Sequence, residues 1–272
     1  MPETVQMEEM TWTQIQAAIA RGKDVAVFAC GAIEQHGPHL PIGTDALLGT
    51  AIAVRAARKA GNTLVAPTIR PGLSQHHMQF AGSLSLRPET FRALLEDYCM
   101  SLAAHRFRRI VMFPSHGGNV DMMRAHLPYI AQRLDEGCEL SLSTAGAGRS
   151  EERQRWLKER GIKLAQAGVH AGYVETSMVL SELGDLVNMR DAAPGLVEES
   201  FFLPENLARS QMDSFLHGIH SQSANGVLGD PTGATAESGE ALLEIASDAL
   251  AKDLLSGGVA APASRTGVGE AI

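Results

Sequence analysis

Aromatic residues make up only 5% of the 272-residue chain, cysteine occurs three times, and neither sign of charge is gathered into a run. Each shortage excludes something. Cys30, Cys99 and Cys138 are odd in number and spaced like neither a disulfide framework nor a zinc ribbon, which points to reduced thiols and a cytoplasmic protein. A formal charge of −8 without a basic stripe argues against nucleic acid and against an anionic membrane surface. Nothing approaches 18 consecutive apolar residues, so no transmembrane helix is expected. The first residues, MPETVQMEEMTW, are acidic and polar, the opposite of a secretory leader. A P-loop, a G-x-G-x-x-G after a strand and H-E-x-x-H are all missing, which removes support for nucleotide-dependent enzymes and zincins.

Apolar residues and histidine are plentiful by contrast. A hydrophobic content of 44% is enough for one large, well-buried domain, and no linker divides it. The domain is expected over 1–256, with 257–272, small and polar, as a loose tail. Apolar runs alternate with amphipathic stretches, the pattern of a parallel α/β layer structure. Strands are expected at 25–30, 64–69, 110–114 and 139–144. Helices are expected at 45–60, from Pro88 to about Phe107, from about Val120, at 175–183 and at 237–255. The fold class is α/β, a single-domain α/β/α sandwich with a mostly parallel sheet.

Polar, glycine-rich loops follow the predicted strands at 31–44, 70–83 and 115–119. In open parallel sheets ligands bind beyond the carboxyl ends of the strands, so these loops can converge. In the first, Glu34 and His36 are two apart and an extended segment projects both to one side. A carboxylate beside an imidazole suits zinc, manganese or iron(II). Asp45 opens the next helix behind Thr44 as N-cap, where the helix dipole favours its ionised form, and there it can bridge two cations. The plainer alternative is that Glu34 and Asp45 satisfy backbone N–H groups while His36 lines a turn. Three such residues after one buried strand favour a site.

The second signal is Ser115-His116-Gly117-Gly118-Asn119. Paired glycines allow close backbone approach, and a helix N-terminus offers free donors. His116 is placed as ligand or base, and Gly117, Gly118 and Asn119 as substrate-binding donors, with Asn119 also the helix N-cap. In the third, His170 and Glu175 can supply a proton shuttle and a further ligand. His76 and His77 form a weaker pair, of which His77 is assigned to substrate binding. His105, His126, His217 and His220 are read as structural, and Cys30 as a small buried hydrophobe. The SHGGN loop also looks like the oxyanion loop of serine esterases, but the nearest nucleophile motif, Gly72-Leu-Ser74-Gln-His76, ends in histidine instead of glycine.

GAIEQHGPHLPIGTD, SHGGN, HAGYVETS and GDPTGATAESGE, in this order between Trp12 and Leu255, resemble the creatininase (creatinine amidohydrolase) family. The resemblance implies one α/β/α domain, assembly as a homohexamer, two divalent metal ions and hydrolysis of a small-molecule amide. Zinc is the first expectation for the metal, manganese or iron the alternatives. Residue by residue it implies Glu34, His36, Asp45 and His116 as metal ligands, Asp45 as the bridge, and His170 as the proton-transfer group. Creatininases proper carry H-Y-E-N where this chain has His116-Gly117-Gly118-Asn119. Their ligand glutamate is therefore replaced by Gly118, and Glu175 is expected to take over its role. Creatininase also walls its pocket with two tryptophans. The matching neighbourhoods here contain Ala145 and Gln166, while Trp12 and Trp156 lie elsewhere, so creatinine is expected to be a poor substrate. The H-G-G-N variant resembles the branch containing formamide deformylases of deazaflavin biosynthesis and the mycofactocin-precursor peptidase.

The expected chemistry also follows from general grounds. Divalent ions lower the pKa of bound water from about 15.7 towards ~7. Backbone N–H groups of the SHGGN loop can meet a developing oxyanion, and His170 can protonate the departing nitrogen. A non-catalytic oligomeric scaffold is the alternative of a different class. Clustered, mutually repelling carboxylates argue against it.

Overall fold

Strand β1, Val25–Cys30, is buried along its whole length, and its side chains divide by parity. Val25, Val27 and Ala29 join one half of the core, and Ala26, Phe28 and Cys30 the other. Strand β3, Arg109–Pro114, does the same: Val111 and Phe113 face one way, Ile110 and Met112 the other. A strand covered on both faces needs no polar alternation, which is why VAVFAC and IVMF read as continuous apolar runs. The computed structural model describes residues 4–145 and 150–256, and the backbone of 259–260.

With β2, Thr63–Val65, and β4, Glu139–Leu142, the sheet runs in the order β2-β1-β3-β4-β5, parallel through β4. The short β5, Val259–Ala260, adds an antiparallel edge within the segment expected as a tail, most of which lies outside the described residues. Helices α2 (Thr44–Ala60), α7 (Tyr173–Leu183) and α10 (Ala236–Ser256) cover one face through Ile52, Val179, Leu243 and Leu250. Helices α1 (Trp12–Ala20), α3 (Pro88–Ala104) and α4 (Val120–Ala131) cover the other through Ala18, Phe91, Leu95 and Met123. This is the α/β/α sandwich that the alternating pattern predicts. Among the described residues no helix is long and apolar enough to cross a membrane.

The structure corrects several details. Gly43, not Thr44, is the N-cap of α2; Thr44 lies inside the helix and its hydroxyl donates to the Pro41 carbonyl at 2.7 Å. The strand expected at 64–69 is shorter, Thr63–Val65; Ala66 still donates to the Val27 carbonyl, and the chain then leaves regular pairing around Pro67. Ile69 rejoins β1 only as an isolated bridge to Cys30. Helices α5 (Glu151–Glu159), α6 (Leu164–Ala167), α8 (Glu199–Phe202) and α9 (Pro204–His217) were not anticipated.

The connectivity locates the site. After β1 the chain adds β2 on one side, then returns to place β3 on the other. This reversal opens a crevice at the carboxyl ends of β1 and β3, where a doubly wound sheet binds its ligand. The buried Asn119 amide ties the surrounding loops together. Its Nδ2 donates to the carbonyls of Cys30 (3.1 Å) and Gly31 (2.9 Å), and its Oδ1 accepts from the Leu73 N–H at 3.0 Å. Gly31 lies so close to the start of α2 that a Cβ would stand 2.6 Å from the Ala46 Cα.

Candidate metal centre

Glu34, His36, Asp45 and His116 converge above β1 and β3, and Glu175 reaches them from the first turn of α7. Among the described residues four groups have metal-ligand spacing, including Glu34–His36–His170, and two of them, Glu34–Asp45–His116 and His36–Asp45–Glu175, share Asp45, the donor atoms of each within 4.8 Å of one another. Asp45 belongs to both: its Oδ1 is 3.3 Å from His36 Nε2 and its Oδ2 3.1 Å from His116 Nδ1. Glu34 Oε2 lies 3.4 Å from His116 Nε2, and Glu175 Oε2 lies 3.9 Å from His36 Nε2. The remaining nitrogen of each ring meets a carbonyl, His36 Nδ1 that of Glu34 at 3.1 Å and His116 Nε2 that of Leu73 at 3.2 Å. A carbonyl only accepts, so each ring carries a hydrogen on that outward nitrogen, and once the proton on the Asp45 side is lost the nitrogen there can ligate a cation.

The donor chemistry fits divalent ions. Both Glu34 oxygens, His36 Nε2 and Asp45 Oδ2 are buried without a hydrogen-bond partner. Each such orphan costs roughly 1–3 kcal/mol, and more when charged, so facing carboxylates of this kind are stable only around positive charge. Burial pushes the Glu34 carboxyl up to about 7, against the pull of His116 and with Asp45 adding to the rise. Burial also works to raise Asp45, but His36 and His116 outweigh it and hold that carboxyl well below the usual range. The same attraction overcomes burial at the two rings: Asp45 lifts His36 to about 10, and Glu34 with Asp45 lifts His116 to about 9. Protons on these rings stand where cations would displace them.

A cavity of about 360 Å³ opens over this centre. His77 Nε2 lies 3.2 Å from Glu34 Oε1, and His170 Nδ1 lies 3.8 Å from the same oxygen. Burial, reinforced by neighbouring histidines, holds both rings neutral far below the ordinary range. His77, Gly117, Gly118 and His170 line the cavity. Asn119 does not: its side chain is the clamp described above, and its N–H donates to the His116 carbonyl at 3.2 Å. Asn119 stands at the N-cap position of α4 as expected, without a side-chain cap hydrogen bond, because its amide is committed to holding loops.

His76 was missed as a site residue. It stacks on His116 (ring centroids 5.9 Å) and edge-on against Phe215 of α9 (4.4 Å), and burial lowers it to about 3. A histidine pair on a loop after a strand was the available signal. Helix α9 adds Leu207 and Phe215 to the wall, with Arg124 of α4 and Arg153 of α5 nearby. Neither tryptophan lines the cavity: Trp12 is exposed on α1, and Trp156 lies beneath the Arg160 guanidinium. Ala167 and Gly168, rather than Gln166, form that side. Ser74 is buried beside Glu34, and no histidine is hydrogen-bonded to its hydroxyl, so an esterase-type serine–histidine pair is not formed there.

The arrangement matches known proteins. The family model for creatininase, described as creatinine amidohydrolase, matches residues 8–254. The chain is 35% identical to the mycofactocin precursor peptide peptidase of Mycobacterium ulcerans (strain Agy99) over 77% of this chain and 76% of that one. It is 28% identical to the creatinine amidohydrolase of Pseudomonas putida over 90% and 94%. A crystal structure of creatininase superposes with a TM-score of 0.76 at 26% identity, covering 94% of this chain and 98% of that chain. Similar solved creatininases include a Zn–Zn form and a manganese form. With the family model matched over nearly the whole chain and the solved creatininases superposing on it, the chain belongs to the creatininase family of amidohydrolases.

Proposed function

We propose that the protein is a metal-dependent amidohydrolase that uses water to cleave the C–N bond of an open-chain amide, formamide or short peptide-like substrate. The observation that carries this reading is Asp45, whose two oxygens face two separate, buried donor sets. Glu34, Asp45 and His116 would hold one divalent ion, and His36, Asp45 and Glu175 the other. Nitrogen and oxygen donors of this kind suit zinc first, manganese or iron second. When bound, such ions bring the pKa of water towards ~7 and polarise the substrate carbonyl.

The chain's own groups do the rest. Glu175 serves in place of the H-Y-E-N glutamate of creatininases proper, where this chain has Gly118. The backbone of Gly117 and Gly118 lines the cavity where a carbonyl oxygen gathers negative charge. His170, buried and neutral, takes a proton as water attacks and passes it to the departing nitrogen. Apolar Leu207 and Phe215, with Arg124 and Arg153, suit an extended, partly charged substrate better than a bare planar ring. The likeness to a peptide peptidase supports the same choice. A creatinine ring would lack two stacking walls worth ~0.5–1.5 kcal/mol each, up to roughly two powers of ten in kcat/KM. The family resemblance also supports a cytoplasmic homohexamer, whose stoichiometry native mass spectrometry checks.

The test combines elemental analysis with a panel of formamides, short peptides, lactams, cyclic ureas and creatinine. About two divalent ions per chain and chelator-sensitive hydrolysis of an open-chain member are expected. Full activity in a metal-free sample overturns the mechanism, and a kcat/KM for creatinine above every open-chain amide overturns the substrate assignment.

A further inference from the structure

Gln35 lies between Glu34 and His36, and its amide can be oriented from backbone contacts alone. Its Oε1 accepts from the Gly37 N–H at 2.8 Å, and its Nε2 lies 3.2 Å from the Gly226 carbonyl. A backbone N–H only donates and a carbonyl only accepts, so these two contacts fix which end is oxygen. One amide hydrogen goes to Gly226. The other points at His77 Nδ1, 3.0 Å away, which must offer a lone pair. A neutral imidazole has one N–H, so that of His77 sits on Nε2, facing Glu34 Oε1 at 3.2 Å.

His170 is set by the main chain of the same residue. Its Nε2 lies 2.7 Å from the Gln35 carbonyl oxygen and therefore carries the hydrogen. The 3.0 Å approach of this Nε2 to Gln35 Nε2 is then a contact between two nitrogens whose hydrogens point elsewhere. Removing the hydrogen would set two lone pairs against each other at 2.7 Å, which is worse. His170 Nδ1 is left as a lone pair on the Glu34 side. Both amide hydrogens and the His170 hydrogen thus meet an acceptor, and the His77 hydrogen is left facing Glu34.

We propose that Gln35 is a positioning residue that gives adjacent histidines opposite characters, His77 an N–H turned to the Glu34 side and His170 a lone pair facing the centre. The inference rests on the amidohydrolase reading and refines it. Glu34, His76 and His77 have the spacing of a third ligand set, yet His77 has no lone pair to give there. Its N–H side stands 3.2 Å from Glu34 Oε1, while Oε2 is the oxygen nearer His116. His170 enters the reaction as an acceptor first and a donor second.

The experiment is nitrogen-15 histidine NMR on the full-length protein, both chelator-treated and zinc-loaded. The wild-type spectrum is expected to show the hydrogen on Nε2 of both His77 and His170. In Gln35→Glu the new carboxylate accepts where the amide donated, so His77 gains a hydrogen on Nδ1 while His170, held by the backbone, is unchanged. The variant should also lose ~10–100-fold in kcat or zinc affinity, the usual effect of disturbing a ligand's outer partner. A wild-type His77 with its hydrogen on Nδ1, or a Gln35→Glu variant whose His77 keeps Nδ1 bare, overturns the proposal. A protein that holds no zinc sinks the hydrolase reading, while the chelator-treated spectrum still decides the tautomers.

Discussion

The two candidate ligand sets share Asp45 and the loop that carries both Glu34 and His36, and differ in their remaining ligands, His116 and Glu175. Glu34 and His116 come from loops clamped by Asn119, and they are only 1% and 6% exposed. Glu175 stands at the start of α7 with a quarter of its side chain reaching solvent. It is held through the Ala171 N–H, which donates to its Oε2 at 2.5 Å. Ala171 has a φ of 53°, a left-handed conformation that costs a residue with a side chain roughly 1–2 kcal/mol. One half of the centre is thus built into the sheet edge, and the other is attached by a strained turn. Metal should leave the Glu175 side first under mild chelation, with the sealed side following later.

Removing the shared residue breaks the comparison with the largest effect. Asp45→Ala should empty both positions and reduce hydrolysis to background, since its charge serves both cations. Glu175→Gln should cost one ion only. Metal content per chain reads the difference directly, and two ions retained in Asp45→Ala would mean that the sets are not joined there. Next comes His170→Ala, expected to keep both ions while kcat falls ~10²–10⁴-fold, as for a lost proton shuttle. Lost metal would make His170 a ligand instead, a reading that its place beside Glu34 and His36 makes worth excluding.

This division also explains what the sequence could say. The sealed side was legible because its residues sit in short motifs at the ends of unbroken apolar strands, where type and position are visible together. Even there the clamp made by the Asn119 amide was hidden: polar residues in a glycine loop look alike whether they face a ligand or hold two loops together. The outer wall was hardly legible. Helix α9 leaves Met212, Phe215 and Leu216 exposed, so its apolar residues do not mark a single core-facing stripe. The proximity of His76 to His116 depends on a single 3₁₀ turn at Gln75–His77, too short to leave a period in the chain.

A pH titration sharpens the comparison at intermediate cost. In the metal-free protein Glu34 is raised from 4.5 to about 7, so the folded state holds a proton that the unfolded state has released. Its contribution to stability is therefore present at low pH and lost as pH rises from 4.5 through 7. His36 and His116, raised to about 10 and about 9, contribute stability below 6.5 that is lost as pH rises through those values. Metal binding runs the other way, because cations displace these protons: below pH 7 apparent affinity should fall at least ~10-fold per unit. Thermal midpoints of the chelated and zinc-loaded protein should diverge as pH rises from 5 to 8. Parallel curves would show that no proton is exchanged for metal.

The smallest effect separates two adjacent glycines. At Gly118 a Cβ would stand 2.5 Å from His116 Nε2 and 2.6 Å from the Leu73 carbonyl oxygen, the two atoms whose contact orients the His116 ring. Neither can retreat easily: Leu73 is tied through its N–H to Asn119, and the ring is enclosed by His76 and Glu34. At Gly117 a Cβ meets nothing within 4 Å. Gly118→Ala should therefore cost about 1–3 kcal/mol by overpacking and weaken the ion on the sealed side ~10–100-fold, with the Glu175 side affected less. Gly117→Ala should stay within about 0.5 kcal/mol of the parent. Chemical denaturation of the chelated proteins and competitive zinc titration measure the two effects separately. If both variants behave alike, His116 is not held by this contact, and the rigidity assigned to the sealed side has another source.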